Sequence, residues 1–512
     1  MATDTQAANR RLARNSLFMT VRMVIVILVS LYTTRVVLNA LGVADYGVYN
    51  VVAGFVVMFA FLNNSLSTAV QRFYNVELAN NGTAGAREVY CASFKIHLYL
   101  GLIVLVVTEA AGWWYIPNKM VLPPGQLEAA LWLFQFSVVS LFFNILYTPY
   151  MAAVISHEKM DFYAVAEIFN NVLKLGMAFS LPFLPGSKLI WYGLYNLFIA
   201  ILVFVMYLAY CKKKFPEIEL GAAVPRKMFK EILSFSGWGV TGALAYTLRE
   251  QGVNLVLNFF FGTVVNAARG ITNQINGALS GFTANLFVSS RPQVIQSYST
   301  GDYDRAWKLT FSLSKVMFLL FFIMALPVCV NINYILKLWL GDNIPDYTAI
   351  FTIMLMATSL VSSFLSPIST IMHATGRLKF YSILSSGSNL LTVPLAYLFL
   401  LVYKIPEVVY VALFITMVTN LLAGLISARK YANLNCLGYV KSVIGPCLLI
   451  LILAVPLGVL PTFFLTENFI IFILETIYCI IISSLLVYYI ALSNQEKQMV
   501  KGLINKIIKR RQ

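Results

Sequence analysis

The sequence predicts an all-α polytopic membrane protein of about 14 transmembrane helices, arranged as two parallel-repeat six-helix lobes plus two C-terminal helices. The 512-residue chain is 59% hydrophobic and only 11% charged, with a mean hydropathy of +0.78. Apolar stretches long enough to span a bilayer, which takes about 20 residues, recur along its whole length. A set of glycines and basic residues also recurs at one spacing, which indicates an internal repeat.

The repeat has an offset of about 219 residues, and it pairs Gly42 with Gly262, Arg72 with Arg291, and Gly82 with Gly301. One six-helix unit is therefore expected twice. Because six is an even number, both copies should start on the same side of the membrane. Such copies are related by an axis along the membrane normal, and transporters with this symmetry bind their substrate between the two halves.

Hydropathy and turn residues place the helices of the first lobe at roughly 17–41, 45–70, 89–112, 127–154, 162–183 and 189–211. Those of the second lobe are expected at roughly 232–260, 264–289, 306–330, 346–372, 380–402 and 405–428, followed by helices at about 443–463 and 468–492. The predicted organisation is a first lobe at 1–211, a linker at 212–231, a second lobe at 232–428, helices 13 and 14 within 429–492, and a basic tail at 493–512.

The net charge of +16 is distributed unevenly, which argues against nucleic acid as the partner. Most of the 37 lysines and arginines fall between predicted helices on one side of the membrane. This bias is the positive-inside rule, so we expect both termini and the linker to be cytoplasmic. The basic tail is expected to lie on the anionic inner leaflet.

Among the basic residues inside predicted helices, we single out five as lying at depth, namely Arg22, Arg35, Lys174, Arg249 and Arg269. Only Glu250 and Glu475 are acidic at comparable depth. A charge in hydrocarbon costs several kcal/mol unless it snorkels, pairs or faces water, so each is a candidate functional residue. A cationic cavity suits an anionic substrate, and the planar fork of arginine suits phosphate in particular.

Polar stripes run along two helices at helical spacing, with Glu250, Gln251, Asn254 and Asn258 in helix 7 and Asn266, Arg269, Gly270 and Asn273 in helix 8. Helix 1 adds Arg35 and, one turn later, Asn39. Such stripes line a wet cavity or pack helices together. The charges favour the cavity, although Glu250 could simply pair with Arg249 or Arg269. Arg249 lies about 140° from the Asn254 face, so we expect it to contact a neighbouring helix.

The predicted substrate site consists of Arg22, Arg35, Asn39, Lys174, Arg249, Glu250, Asn254, Asn258, Arg269 and Asn273. Arg35 and Arg269 fall near the predicted outer ends of helices 1 and 8. Closure of the lobes on that side is expected to bring them together around one phosphate group. No nucleotide-binding or zinc motif occurs, so no catalytic residue, metal or cofactor is predicted. The sequence leaves open whether a transport cycle is coupled to a proton gradient, a sodium gradient or the membrane potential.

Two stretches resemble the polysaccharide-export (Wzx-type) flippases. RVVLNALGVADYGVYN, from Arg35 to Asn50, resembles the first-hairpin motif of that family, and Gln251 to Gly277 is similar to the start of its second half. The family belongs to the multidrug/oligosaccharidyl-lipid/polysaccharide exporter superfamily. The resemblance covers essentially the whole chain, including the two C-terminal helices.

The resemblance implies an alternating-access flippase that moves undecaprenyl-pyrophosphate-linked oligosaccharide from the inner to the outer leaflet of the bacterial plasma membrane. Its product would serve synthesis of surface polysaccharide such as the O-antigen of lipopolysaccharide. Compared with the lipid II flippase of the same superfamily, Arg22 or Arg35 and Arg269 match two of its three pyrophosphate arginines, and helix 2 lacks the third. The expected partners are the polyprenyl-linked glycan, membrane lipids and a polysaccharide polymerase or chain-length machinery, and we expect a monomer.

Two alternatives belong to other functional classes. An ion-coupled multidrug antiporter of the same superfamily would be expected to use a buried carboxylate and an apolar cavity for organic cations, which the five deep basic residues disfavour. A membrane glycosyltransferase or polysaccharide polymerase usually carries its catalytic residues in a large external loop, and no loop of this chain is long enough.

Overall fold

The computed structural model describes the backbone of residues 2–221, 224–464, 468–492 and 496–497, and most of the predicted basic tail lies outside them. Throughout these residues the chain forms long helices and no strand. The helices are α1 (2–41), α2 (43–81, with a 3₁₀ turn at Met58–Ala60), α3 (83–119), α4 (Leu127–Ser156), α5 (Met160–Phe183), α6 (Lys188–Lys214), α7 (Arg226–Phe261), α8 (Thr263–Ser299), α9 (Tyr303–Val330), α10 (Thr348–Thr375), α11 (Leu378–Tyr403), α12 (Val408–Ala432), α13 (Cys436–Phe463) and α14 (Phe469–Ala491). A short helix, Ile332–Leu340, follows α9.

The fourteen predicted helices are therefore confirmed over the part of the chain that the structure describes. Most continue beyond their predicted apolar spans, because polar residues in water can extend the same i→i−4 backbone bonds. By length and composition, eleven stretches of the described residues are apolar enough to cross a membrane. Helices α7 and α8 are not among them, and these two helices carry the predicted polar stripes.

Matched glycines mark matched breaks in the two repeats. Gly42 separates α1 from α2 with φ +80°, and Gly262 separates α7 from α8 with φ +74°. One helix later, Gly82 and Gly301 also have positive φ. Side chains disfavour this backbone region, and glycine enters it freely. The repeat found in the sequence thus has a positive φ at both pairs of positions.

The residues group into two compact units. The first consists of Met1–Ile271, Asp342–Tyr347 and Asn389–Val409, and the second of Thr272–Gly341, Thr348–Ser388 and Tyr410–Gln512. In the first unit, α2, α3 and α4 enclose an apolar core that includes Val52, Phe134 and Ile145. In the second, α9 packs against α10, where the rings of Phe318 and Phe364 stack with centroids 4.8 Å apart. The lobe boundaries predicted from the sequence stay a prediction.

The segment that follows α6 folds back onto the helix ends of the first unit. Glu217, only 1% exposed, accepts a hydrogen bond from the Tyr74 hydroxyl at 2.7 Å. His157 Nε2 lies 2.5 Å from the same carboxylate oxygen, and its ring stacks on Phe215 with centroids 4.1 Å apart. Burial raises the pKa of Glu217, but the hydrogen bonds from His157 and Tyr74 outweigh burial and lower the pKa below its usual value.

We expect Glu217→Ala to lower the melting temperature of the purified protein, because it leaves Tyr74 and His157 without their shared acceptor, a loss of about 1–3 kcal/mol. Since the folded-state pKa is lowered, this stabilisation is present above the ordinary glutamate pKa of 4.5 and is lost as the pH falls through the folded value. The measurement is thermal unfolding from pH 7.5 to the lowest pH that the protein tolerates. A difference between wild type and variant that stays constant with pH would contradict this account.

Candidate functional site

An ion network joins α7 to α8 in the first unit. Glu250 presents one carboxylate oxygen to Arg249 at 3.2 Å and the other to Arg269 Nη2 at 3.0 Å. The same Nη2 also donates to the Glu250 backbone carbonyl at 3.0 Å. Arg249 Nη1 donates to Asn389 of α11 at 3.1 Å. Both arginines are buried, at 5% and 2% exposure.

This geometry answers two questions that the sequence left open. Glu250 is an ion-pair partner of both arginines, and Arg249 reaches a neighbouring helix as expected. The three charged groups carry a net charge of only one. A buried charge is tolerated where it is paired and hydrogen-bonded, so Glu250 allows the two guanidinium groups to lie among packed helices.

Three amides of the predicted stripes, Asn254, Asn258 and Asn266, form hydrogen bonds to neighbouring segments of the chain. Asn254, 6% exposed, donates to the Asn50 carbonyl of α2 at 3.0 Å. Asn258, fully buried, donates to the Val121 carbonyl at 3.0 Å and accepts from the Val121 N–H at 2.9 Å. Asn266 of α8 donates to the Asn254 side chain at 2.7 Å. In this structure these amides connect helices, which is the helix-packing interpretation of the stripe.

Two glycines allow the close approach of α2 to α8. A Cβ on Gly47 would lie 2.0 Å from the backbone oxygen of Thr263, and one on Gly270 would lie 2.4 Å from Asn50 Oδ1. We call Gly47, Asn50, Asn254, Asn258, Asn266 and Gly270 the amide–glycine joint. The sequence favoured a cavity-lining position for Asn254 and Asn258, and in the structure both belong to the joint. Polar residues at the same helical spacing can either line a cavity or pack two helices together.

We expect Gly47→Ala to lower the melting temperature, because the added methyl group meets a backbone atom that cannot move aside without shifting a helix. Overpacking of this kind costs about 1–3 kcal/mol. The matched control is Gly176→Ala in α5, where a Cβ meets nothing within 4 Å and where alanine favours the helix. Thermal unfolding of both purified variants is the measurement. Equal melting temperatures for the two variants would contradict the close approach at Gly47.

A second polar surface joins α1 to α5, and sequence analysis identified only its two ends, Arg22 and Lys174. The Arg22 guanidinium carbon lies 5.1 Å from the ring centroid of Tyr163. Partly buried polar residues then follow along one face of α5: Tyr163, Glu167, Asn170, Asn171 and Lys174. We call these residues and Arg22 the α1–α5 polar face. The sequence pattern that could have predicted this face is a set of polar residues at helical spacing within an apolar span. The same pattern identified the stripes of α7 and α8.

The remaining predicted site residues are accessible. Arg35 of α1 is partly exposed, and Asn39 one turn further is exposed and accepts a hydrogen bond from Asn343 Nδ2 at 3.1 Å. Asn273 of α8 is exposed and belongs to the second unit. The predicted set thus divides into a buried group around Glu250 and the joint, and an accessible group of Arg22, Arg35, Asn39, Lys174 and Asn273.

Lys315 of α9 is a buried cation that sequence analysis did not select as a site residue. It is 9% exposed, and its ammonium group donates to Glu496 at 2.9 Å and to the Ala491 carbonyl at 3.3 Å. The pair connects α9 to the residues just after α14. Its partner is 181 positions away in the sequence, so no local pattern could predict it.

The accessible members in the first unit, Arg22, Arg35, Asn39 and Lys174, are basic or amide side chains that can donate hydrogen bonds to an anion. The buried group cannot contribute equally, because Glu250 already occupies both arginines. Among the described residues, no three His, Cys, Asp or Glu side chains lie together in a way that could hold a metal ion.

We expect Glu250→Gln to lower protein abundance and melting temperature strongly, because two buried guanidinium groups lose their counter-charge, a loss of about 3–5 kcal/mol. Adding Arg249→Gln should recover part of the loss, since the network then holds one charge fewer. The measurement is a double-mutant cycle on melting temperature. Additive losses, or a normal melting temperature for Glu250→Gln, would contradict an energetic role for the network.

Comparison with known proteins finds likeness in structure only. No protein-family model matches the sequence, and no curated protein matches it either. Among solved structures, the chain is similar to the lipid II flippase MurJ in an inward closed conformation. The TM-score is 0.66 at 17% identity, and the match covers 93% of this chain and 99% of MurJ.

Two further solved structures belong to the same group of folds. One is a multidrug resistance MATE family transporter of the MOP superfamily in an inward-facing conformation, with TM-score 0.65, 14% identity, and coverage of 80% of this chain and 96% of the transporter. The other is a MOP superfamily transporter from Pyrococcus furiosus described as having a binding pocket of reverse polarity, with TM-score 0.58, 14% identity, and coverage of 82% and 95%. The chain therefore has the fold of MOP-superfamily transporters.

Proposed function

We propose that this protein is a flippase that moves undecaprenyl-pyrophosphate-linked oligosaccharide from the inner to the outer leaflet of the bacterial plasma membrane. It would do so by alternating access, for synthesis of surface polysaccharide such as O-antigen, with both termini in the cytoplasm. Such a protein must pass a sugar-phosphate head group across hydrocarbon while the polyprenyl tail stays in lipid. A polar, cationic surface along spanning helices would supply the contacts that the head group otherwise makes with water.

The observation that carries this proposal is the extent of the structural likeness. The match to MurJ covers 93% of this chain, and the match to the MATE transporter covers 80%. The two coverages differ by about as many residues as α13 and α14 contain together. A fourteen-helix chain thus corresponds in extent to a protein that is named as a lipid II flippase.

The charges of the spanning helices also support an anionic substrate. Glu250 is offset by two arginines, whereas Arg22, Arg35 and Lys174 occupy accessible or partly buried positions on α1 and α5. A pyrophosphate group offers several oxygen acceptors to such donors. The amides of Asn39, Asn170 and Asn171 in the same unit would offer hydrogen bonds to sugar hydroxyl groups.

A multidrug antiporter is the second candidate, and the structural likeness to a MATE family transporter favours it. Organic cations would need an apolar cavity with an available carboxylate. Glu250 does not supply that carboxylate while it binds Arg249 and Arg269. The two candidates therefore predict substrates of opposite charge.

The deciding experiment uses purified protein in vesicles. We expect the protein to accelerate transfer of a fluorescent undecaprenyl-pyrophosphate-linked oligosaccharide between leaflets, read as faster reduction of the label by an impermeant quencher. Vesicles without protein provide the control. Transport of an ethidium-type cation by the same vesicles, with no acceleration of the glycan lipid, would support the antiporter instead.

We expect Arg35→Gln to weaken substrate engagement about ten- to a hundredfold, because a charge-assisted hydrogen bond to phosphate contributes roughly 1.5–3 kcal/mol and about 1.4 kcal/mol is a factor of ten. Arg35→Lys should keep part of the function, since it retains the charge and loses the fork. Arg87→Gln is the matched control, because Arg87 pairs with Glu219 outside the site. The readout is surface-glycan export in complemented cells at measured membrane abundance. Normal export by Arg35→Gln would remove Arg35 from the site.

A further inference from the structure

Four helices of the second unit pack together at one end. A single apolar cluster buries one residue from each of α8, α9, α10 and α12, namely Val294, Ala306, Ile371 and Ala432. The indole N–H of Trp307 in α9 donates to the Ala432 carbonyl at 3.1 Å. The charge bias of the sequence predicts that these helix ends face the cytoplasm. The charged side chains around the cluster are therefore carried by helix ends that are packed against one another.

The surface around this cluster is strongly basic. The acidic residues exposed in the segments 290–308, 373–380 and 429–432 are Asp302 and Asp304, both at the start of α9. Asp302 accepts a hydrogen bond from the Arg305 backbone N–H at 3.1 Å and thereby caps α9. An excess of positive charge remains. The exposed basic residues of the same segments include Arg291, Arg305, Lys308, Arg377, Lys379 and Lys430.

Arg291 and Arg377 lie where α8 meets the turn between α10 and α11. Arg291 and Tyr298 are two turns apart on α8 and share one face of that helix. The charge of Arg291 acts on the His373 ring of α10, and the charge of Arg377 acts on the Tyr298 hydroxyl. Both arginines therefore belong to the same junction of helices. Among the residues that the structure describes, no carboxylate forms an ion pair with either arginine.

The start of α11 adds further positive charge to this junction. Arg377 immediately precedes the helix, whose first turn contains Lys379 and no acidic residue. Cations are disfavoured at this position, because the helix dipole already provides positive charge at an N-terminus. From α12, the Lys430 ammonium group lies 4.5 Å from the ring centroid of Phe380. A bound anion would offset the mutual repulsion of these cations.

The internal repeat has basic residues at the matching positions of its first copy. A feature that both repeats share serves a need that both have, and both copies are predicted to border the same inner leaflet. The positive-inside rule requires basic residues on that side, but it does not require them to converge from separate helices. The matched pairs, all exposed, are Arg72 with Arg291, Lys159 with Arg377, and Lys212 with Lys430.

We propose that this end of the second unit binds the phosphate group of an anionic phospholipid of the inner leaflet, with Arg291 and Arg377 as its main contacts. The planar fork of arginine suits phosphate oxygens, and basic pockets between spanning helices on the cytoplasmic side suit anionic lipid headgroups. Ile383, one turn beyond Lys379, is 59% exposed, so apolar surface for the acyl chains begins beside the cations. The lipid is a structural ligand and not the cargo, so the inference does not depend on the proposed function.

The test measures lipid binding without any glycan lipid. Full-length protein is purified in detergent, and its melting temperature is followed as phosphatidylglycerol replaces phosphatidylcholine at a constant total lipid concentration. A bound lipid stabilises the folded state increasingly with its concentration. We expect phosphatidylglycerol to raise the melting temperature of the wild type. Combining Arg291→Gln with Arg377→Gln should shift this response to at least about tenfold higher phosphatidylglycerol, because two charged contacts to phosphate are lost.

A matched control separates a defined site from diffuse surface charge. Combining Arg305→Gln with Lys308→Gln in α9 removes the same charge from the same end of the unit, and this variant should respond like the wild type. All four residues are exposed, so both double variants should melt like the wild type in phosphatidylcholine alone. Inorganic pyrophosphate, which has no acyl chains, should stabilise the wild type much less than phosphatidylglycerol does.

Three results would overturn the proposal. The first is a wild type that phosphatidylglycerol stabilises no more than phosphatidylcholine does. The second is an equal loss of response in the two double variants, which would indicate diffuse charge. The third is stabilisation by pyrophosphate as strong as that by phosphatidylglycerol, which would indicate a site for a free anion. Phosphatidylglycerol that stays bound through size-exclusion chromatography, counted by phosphorus analysis, provides a readout independent of unfolding. The variant without Arg291 and Arg377 should retain less of it than the wild type and the control.

Discussion

Two guanidinium groups buried among packed helices need a counter-charge, and the position of Glu250 between Arg249 and Arg269 satisfies that need. The rest of the first unit is consistent with this constraint. Arg249 extends the network to Asn389 of α11, and Arg269 holds α8 against the Glu250 carbonyl of α7. The network thus fixes α7, α8 and α11 with respect to one another through charged hydrogen bonds, which are among the stronger polar interactions in a protein.

The network also determines which residues are left for a substrate. Arginines that are held by a buried carboxylate contribute little to binding an outside anion, and the joint occupies the amides of Asn254 and Asn258. Under the proposed function, the substrate contacts of the first unit would therefore fall to α1 and α5, where Arg35 and Lys174 lie. In this account α7 and the start of α8 are the structural part of the site, and the α1–α5 polar face with Arg35 is the recognition part.

Much of the fold could be predicted because bilayer thickness and backbone hydrogen bonding leave few choices. The fourteen helices followed from hydropathy, and the paired breaks at Gly42 and Gly262 followed from the repeat. The site was harder, because polar residues at helical spacing look the same whether they pack against a helix or line a cavity. Asn254 and Asn258 show this limit, and Lys315 shows another, since its partner Glu496 is distant in sequence. Asn170 and Asn171 were accessible to pattern analysis and were missed.

Binding of the anionic head group is the central claim, and direct binding to the purified protein tests it most directly. The measurement compares undecaprenyl pyrophosphate, undecaprenol and a lipophilic organic cation in one competition assay against a labelled glycan lipid. The account predicts that the pyrophosphate competes far better than the alcohol of the same chain length, and that added salt weakens it, because charge provides the difference. Equal competition by the alcohol, or stronger competition by the cation, would contradict a cationic recognition surface.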